Sequence, residues 1–306
     1  MRQYIDCENN FTQIPEWTPG CWVNVECPDN ADFNFLTQTL GIPEAVLAYA
    51  NDIDERPRIE RDDPWVLTIL RIPARSDNPD RPIYTIPIAI ISGPTTVVTV
   101  CYYKNNVIQD FIIHSRSRRI SVTCGSTFIL RLIYSSAFWY LEFLKLISGK
   151  VTEAEKQLAR SVKNSDLMQL MQLQKALVYF NTSLRGNEVL IGRLRHVFTD
   201  EFDLDLLEDV EIELKQALNT VNVYSEILSG TLDTYASVIS NNVNVIMKRM
   251  TSVTIVMMIP TLIASFYGMN VVIDLSASPY AFWIIVAMAA ALTAGTIILL
   301  RRIHWF

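Results

Sequence analysis

The C-terminal part of the chain contains two long apolar segments separated by a short polar stretch. Between Met250 and Leu300 the only charged side chain is Asp274, and the apolar segments cover residues 250–266 and 280–300. Each segment approaches the ~20 residues that a helix needs to cross a ~30 Å hydrocarbon core. Because lipid offers no hydrogen-bond partners to the backbone, each segment should be a helix. The sequence therefore predicts two C-terminal transmembrane helices joined by a short outer loop, residues 271–279.

The two apolar segments have basic neighbours only at the ends that are away from the loop between them. Lys248 and Arg249 precede the first apolar segment, Arg301 and Arg302 follow the second, and the loop between them has no basic residue. The positive-inside rule therefore places both termini in the cytoplasm. The first 15 residues contain no apolar core stretch, so we expect no signal peptide. The chain is predicted to be a multi-pass protein of the cell (inner) membrane.

Residues 1–125 are predicted to form a cytoplasmic α/β domain. Residues 35–50 have the spacing of a helix. Several β-branched runs, separated by turn signals, are typical of strands, and they cover residues 22–26, 66–72, 84–91, 95–102 and, in a shorter piece, 108–113. Helices that alternate with such strands indicate a sheet with helices packed on it.

Residues 126–248 are predicted to be a cytoplasmic helical region, because apolar residues recur at helical spacing after Gly125. The region is expected to contain several helices, divided by breaks at three places. They are Gly149–Lys150 with a capping box formed by Thr152 and Glu155, the pair Gly186–Asn187, and the pair Thr199–Asp200.

From about Asp203 onward nothing stops the helix until Gly268, although Pro260 lies within it. This pattern predicts one helix of roughly 65 residues, or about 100 Å at 1.5 Å per residue. The helix begins in the cytoplasmic region as a stalk and becomes the first membrane span. Residues 249–306 are then the two-span transmembrane domain.

A stripe of polar, small or thioether side chains follows one face of this helix with a 3.5-residue period. Its members are Asn244, Met247, Thr251, Thr254, Met258, Thr261, Ser265 and Gly268. The same stripe continues toward the cytoplasm through Asp233. Hydroxyl and amide groups within a bilayer are costly unless they face protein or water. The stripe therefore predicts a face that is turned away from lipid.

Two interpretations of the polar stripe compete. In the first, small residues let neighbouring helices pack closely. In the second, several copies of the helix surround an aqueous path. The second is favoured, because a coiled-coil core would place Leu or Ile at these positions and would exclude Asp233. Two spans per chain cannot enclose a pore, so this interpretation requires a symmetric ring of subunits.

The chemistry of the stripe suits a hydrated hard cation. It has no Cys or His to bind soft metals and no Arg or Lys to attract anions. Magnesium releases its water reluctantly and prefers oxygen ligands. Two charges that enter down an inside-negative potential gain roughly 4 to 5 kcal/mol per 100 mV. The sequence therefore predicts passive uptake of hydrated Mg2+ driven by the membrane potential.

The segment Tyr267-Gly268-Met269-Asn270, at the outer end of the first span, resembles the signature of the CorA family of magnesium channels. The resemblance covers the C-terminal hundred residues clearly and the α/β region in outline. It implies a funnel-shaped homopentamer whose pore is lined by the first span. It also implies that Mg2+ is both transported and regulatory, with Co2+ and Ni2+ as further cargoes.

The resemblance assigns roles to particular residues of this chain. Gly268, Met269 and Asn270 would form the selectivity filter, and Asp274 would attract cations to its outer side. Asn244 would be the ring at the cytoplasmic mouth. The predicted pore-lining residues are Asn244, Met247, Thr251, Thr254, Met258, Thr261 and Ser265, with Met247 and Met258 as hydrophobic constrictions and Thr261 as a polar ring.

An acidic cluster occupies residues 200–213. It is either a solvated helix start, where acids favour the positive end of the dipole, or a sensor for divalent cations between subunits. The resemblance indicates Asp209 as the sensor residue and Asp233 as an acidic ring. The partner of Asp209 would be an acid in the neighbouring subunit, and three candidates remain open, Asp62, Asp63 and Asp80. Bound metal would cancel carboxylate repulsion and hold the ring closed.

The tail after the second span begins with Arg301 and Arg302 and ends in aromatic residues. These residues could simply anchor the helix at the membrane interface. The resemblance adds a second interpretation, in which the two arginines form a basic collar around the pore helices.

Nothing in the sequence indicates an enzyme. None of His114, His196 and His304 lies near a serine or cysteine in a nucleophile motif, and no glycine-rich phosphate loop occurs. We therefore expect no organic cofactor and no nucleic-acid partner. The expected partners are further copies of the chain, divalent cations and the lipid bilayer. Two alternatives stay open: a transporter of zinc or another divalent cation within the same superfamily, and a non-transporting membrane sensor or scaffold.

Overall fold

The computed structural model describes residues 1–76, 78, 82–122, 125–158, 164–198, 203–269, 279–303 and 305. Its N-terminal part contains a seven-stranded sheet in the order β2-β1-β3-β7-β6-β5-β4. The strands are β1 (Arg2–Asp6), β2 (Thr12–Ile14), β3 (Trp22–Glu26), β4 (Arg58–Asp62), β5 (Trp65–Arg75), β6 (Ile83–Ser92) and β7 (Val97–Cys101). β3 and β7 pair in parallel and the other neighbours are antiparallel. Packing divides the chain into two compact units, Met1–Leu232 and Asp233–Phe306.

Four of the predicted strands are confirmed as β3, β5, β6 and β7, but the fifth prediction is wrong. Residues 108–113 lie in a helix, α3 (Val107–Ser117). The Asn105 side chain accepts a hydrogen bond from the Ile108 amide at 3.0 Å and so satisfies one of the free amides at the helix start. Val107, Ile108, Phe111 and Ser115 are its buried residues, which is the spacing of one helical face.

Strands β1, β2 and β4 were not predicted. β4 has the sequence Arg-Ile-Glu-Arg-Asp and lies at one edge of the sheet, where charged side chains remain in solvent. β2 is three residues long and lies at the opposite edge. An edge strand has a neighbouring strand on one side only and is partly exposed to solvent. Its sequence therefore shows little of the alternation of apolar and polar residues from which strands are predicted.

Successive side chains of a strand point to opposite faces of the sheet, so both faces have side chains to bury. Helices cover both faces. Short helical pieces cover one face, and they are α1 (Asn30–Asn34), a π-helical turn (Phe35–Thr39) and α2 (Glu44–Asn51). Leu47 of α2 is buried there with Val23 and Val25 of β3. On the other face, the Trp22 ring lies 5.0 Å from that of Phe128.

Two long helices follow the sheet, α4 (Ser126–Leu158) and α5 (Asn164–Val197). The predicted break at Gly149–Lys150 is therefore wrong, because α4 continues through it. Ile147 and Val151 are buried on either side of Gly149, and this packing outweighs the cost of about 1 kcal/mol for a glycine within a helix. Thr152 and Glu155 do not cap a helix start. The Thr152 hydroxyl donates to the Ser148 carbonyl at 3.1 Å.

The break predicted at Gly186–Asn187 is also wrong, because α5 runs through both residues. A Cβ atom on Gly186 would lie 2.7 Å from Cγ of Pro57, so the glycine permits close approach of the loop before β4. The fully buried Asn187 side chain accepts from the Arg71 amide at 3.1 Å and donates to the Arg71 carbonyl at 2.8 Å. Both residues are explained by tertiary contacts of a continuous helix.

The third predicted break, Thr199–Asp200, lies outside the described residues, which give α5 an end at Val197 and α6 (Leu204–Tyr267) a start at Leu204. The Asp203 carboxylate accepts from the Leu206 amide at 3.0 Å and caps α6. The single long helix is confirmed, with 64 residues and Pro260 inside it. The last helix is α7 (Ala281–Arg302). Among the described residues, α6 and α7 are the two helices long and apolar enough to cross a membrane.

Candidate functional site

The polar stripe lies on an uncovered face of α6. All seven predicted pore-lining residues are exposed, namely Asn244, Met247, Thr251, Thr254, Met258, Thr261 and Ser265. Met247 and Met258 expose 57% and 62% of their surface. The chain itself therefore leaves the whole stripe open to whatever surrounds it.

The opposite face of α6 is the one that is buried within the unit Asp233–Phe306. Ser252 and Ile263 are its fully buried positions in the membrane segment, and Val256 is half-buried. Thr261 follows Ser252 by two and a half turns at 3.6 residues per turn, so the two side chains point in opposite directions. The same interval separates Thr254 from Ile263. The face that carries the polar stripe is therefore turned away from the packing of its own chain.

Two threonines of the stripe are hydrogen-bonded to their own helix. The Thr254 hydroxyl donates to the Met250 carbonyl and the Thr261 hydroxyl donates to the Met257 carbonyl, each at 2.9 Å. This is the bond expected when small polar residues only help helices pack. A hydroxyl that donates in this way still has acceptor lone pairs on its oxygen. Because both residues are exposed, these oxygens can accept hydrogen bonds from water.

The outer end of α6 closes in a turn. The Gly268 amide donates to the Ala264 carbonyl at 2.9 Å, and the Met269 amide donates to the Phe266 carbonyl at 3.4 Å. A Cβ atom on Gly268 would lie 3.1 Å from the Ala264 carbonyl oxygen. Met269 is exposed by 55%. The predicted filter residue Asn270 and the predicted outer acid Asp274 lie outside the described residues.

The predicted regulatory acids are exposed on α6. Asp209 belongs to the unit Met1–Leu232, and Asp233 belongs to the unit Asp233–Phe306. Of the candidate partners, Asp62 is the last residue of β4 and Asp63 follows it. The Asp63 carboxylate pairs with Nε of Arg61 at 2.9 Å. Asp80 lies outside the described residues. Within the described part of one chain, no three acidic, His or Cys side chains come together as a metal site.

The basic residues of the tail close α7. Arg301 and Arg302 lie in the last turn of α7 and are exposed. Cations at the C-terminal end of a helix interact favourably with the negative end of its dipole. This position suits both predicted roles, the interfacial anchor and the basic collar.

One arrangement in the α/β unit had no signal in the sequence. Five arginines from three separate segments line a cavity of about 960 Å³ beside α5, namely Arg56, Arg58, Arg71, Arg185 and Arg193. Sequence patterns find motifs of adjacent residues, and these arginines are brought together only by the packing of α5 on the sheet.

The profile of the family described as "CorA-like Mg2+ transporter protein" matches residues 19–302 of the chain. The cobalt/magnesium transport protein CorA of Methanocaldococcus jannaschii is 26% identical over 291 residues, which cover 93% of this chain and 90% of that protein. The protein of the same description from Thermotoga maritima is 23% identical over 259 residues, covering 81% and 72%.

A solved structure has the same fold along the whole chain. The complete structure of the CorA magnesium transporter from Methanocaldococcus jannaschii superposes with a TM-score of 0.84 at 21% identity and covers 100% of this chain and 99% of its own. The predicted fold class of the single chain is confirmed, since an α/β region is followed by long helices and two C-terminal apolar helices, and this fold matches that structure along the whole chain.

Proposed function

The chain belongs to the family of CorA-like Mg2+ transporter proteins, and we propose that it forms a channel for the passive uptake of hydrated Mg2+ driven by the membrane potential. The wall of the channel is α6, with Asn244 at the cytoplasmic mouth and Gly268, Met269 and Asn270 at the outer filter. Co2+ and Ni2+ are further cargoes. Both termini lie in the cytoplasm, because Lys248 and Arg249 precede the apolar segment of α6 and Arg301 and Arg302 end α7 on that side.

The observation that carries this proposal is the orientation of the polar stripe. A membrane helix that uses its hydroxyl groups to pack within its own chain would bury them. Here Ser252 is the hydroxyl residue on the buried face, beside Ile263, whereas Thr251, Thr254, Thr261 and Ser265 lie on the exposed face. Since polar groups are costly against lipid, the exposed stripe is best covered by water and by the same stripe of neighbouring subunits.

The path requires several subunits. Two apolar helices per chain cannot surround water, so we infer a closed ring of identical chains, and the resemblance to the family makes it a homopentamer. In such a ring, every residue of the stripe is repeated around the axis. Asn270 then offers a ring of amide oxygens, and Asp274 a ring of negative charge, to an ion that keeps its water.

We assign closure of the channel to the binding of intracellular Mg2+. One chain holds no acidic metal cluster within its described residues, and Asp209 is exposed, so the regulatory site is completed by an acid of a neighbouring subunit. Asp62, Asp63 and Asp80 are the candidate partners. A bridging cation would offset the repulsion between these carboxylates and favour the closed ring.

Uptake by proteoliposomes that contain the purified chain tests the proposal. With an inside-negative potential we expect saturable Mg2+ entry, and replacement of the filter amide in Asn270→Ala should reduce entry at least tenfold. Separate measurements with Co2+, Ni2+ and Zn2+ determine the cargo, and preferential Zn2+ entry would favour the zinc alternative. Complete absence of cation flux would contradict the channel and leave the scaffold alternative.

A further inference from the structure

The cavity beside α5 carries a strong excess of positive charge. Its charged lining consists of five arginines and two acids, Asp54 and Glu55, whereas the chain as a whole has a net charge of −6. One of the two carboxylates is already used, because Glu55 forms an ion pair with Arg58. At least three guanidinium charges therefore have no counterpart in the lining, on a protein that is otherwise acidic.

Arg71 forms a fixed cation in this lining. Its guanidinium donates to the Ile53, Glu55 and Thr85 carbonyls, each at 2.8 Å, and to the Thr85 hydroxyl at 3.0 Å. All four acceptors are neutral, and no carboxylate of the described residues pairs with it within 4.0 Å. The contacts hold the group in place without cancelling its charge. Partial burial lowers the pKa of Arg71, which remains cationic at neutral pH.

The remaining arginines give the cavity adjustable donors. Arg185 and Arg193 extend from α5 and Arg56 from the loop before β4, and all three are exposed. Nε of Arg185 donates to the Asn181 side chain at 2.7 Å, which orients the group. Within the described residues, none of these three arginines forms an ion pair.

We propose that this cavity binds a multiply charged phosphate anion of nucleotide size. Guanidinium groups present paired donors that match the oxygens of phosphate, and such pairs are stronger than neutral hydrogen bonds. A volume of about 960 Å³ lies in the range of small-molecule sites and exceeds what a single phosphate fills. The excess of positive charge suits an anion that carries several negative charges. The inference does not depend on cation transport.

Titration calorimetry on the full chain in detergent, in buffer without Mg2+, tests this site with ATP and with tripolyphosphate. Saturable binding that weakens as salt is raised is expected for at least one of the two probes. Tighter binding of ATP would identify a nucleotide site, and equal binding a site for the phosphate chain alone. Failure of both probes to bind at millimolar concentration would overturn the inference.

Variants separate the cavity from general surface charge. Replacement of both rim arginines, in Arg185→Gln with Arg193→Gln, should weaken binding at least tenfold, because two charge-assisted contacts are lost. Arg195→Gln is the matched control, since Arg195 is exposed on the same helix but does not line the cavity. Val189→Glu adds a negative charge to the lining without removing a donor and should also weaken binding. Equal loss in the control, or no loss in both lining variants, would refute the proposal.

Discussion

At the scale of single residues, the threonines of α6 satisfy two requirements at once. A hydroxyl within a membrane helix needs an acceptor for its proton, and the carbonyls of Met250 and Met257 provide it for Thr254 and Thr261. The oxygen of each hydroxyl keeps acceptor lone pairs, which in the proposed channel would accept from the water around a cation. Valine has the same shape and lacks this acceptor.

Thr261→Val should therefore reduce Mg2+ entry into proteoliposomes severalfold while leaving the stability of the protein nearly unchanged. Thr296→Val is a matched control. Its hydroxyl donates to the Leu292 carbonyl at 2.9 Å, so it makes the same bond on α7, outside the proposed wall. Entry should be normal in the control, and equal loss in both variants would argue against a special role for the stripe.

At the scale of elements, the sequence predicted the long helix and four strands but divided α4 and α5 too often. The 3.6-residue periodicity of apolar residues is a local property, so it is visible in the sequence. Gly186 and Asn187 are residues typical of helix ends, yet here they serve contacts with Pro57 and Arg71, which are distant in sequence. Local patterns could not predict these contacts. The arginine cavity could not be predicted either, because its residues come from segments that are distant in sequence. The polar stripe could be predicted from the sequence, because all of its residues lie on the single helix α6.

The two glycines of α5 should respond in opposite directions to alanine. Gly186→Ala should lower the free energy of unfolding of the unit Met1–Leu232 by about 1 to 3 kcal/mol, because its Cβ would press on Pro57. Gly192→Ala meets no atom within 4 Å and should raise it by up to about 1 kcal/mol through helix propensity. Thermal unfolding followed by circular dichroism measures both. If Gly186→Ala raised the free energy of unfolding instead, the space between residue 186 and Pro57 would be large enough for a methyl group.

Asn187→Ala should destabilise the same unit by about 2 to 3 kcal/mol, since it leaves the amide and carbonyl of Arg71 without their Asn187 partner in a buried place. The Tyr140 hydroxyl still donates to that carbonyl at 3.0 Å, so the loss falls mainly on the amide. Glu188→Ala, an exposed change one residue later, should stay within about 0.5 kcal/mol. Chemical denaturation compares the two variants, and equal midpoints would exclude this docking role for Asn187.

At the scale of the whole molecule, the proposed conduction and regulation both depend on repetition of the chain. A single subunit exposes the polar stripe and holds no acidic metal cluster within its described part. In the proposed ring, each feature becomes a site only when equivalent residues of neighbours are added. The sequence indicates Asp209 through family resemblance but leaves its partner open, because in this proposal the partner belongs to another subunit.

Asp209→Lys should weaken closure by internal Mg2+, so that proteoliposomes loaded with millimolar Mg2+ still take up cation. The lysine removes one carboxylate of the proposed bridge and repels the metal. Glu208→Lys places the same charge one residue earlier, at about 100° around the helix, and should retain inhibition. If internal Mg2+ inhibits the Asp209 variant as strongly as the unmodified protein, the bridge is not at this residue.

The uncovered stripe also bears on how the protein is made. Until subunits meet, each newly inserted α6 presents Thr254, Thr261 and Ser265 to lipid, where polar groups are disfavoured. In the proposed assembly, an isolated subunit is therefore less stable in the membrane than a subunit within the ring. If the proposed ring is the conducting form, dilution into excess lipid should lower cation uptake more steeply than it lowers the amount of protein, because subunits must associate before the path can form.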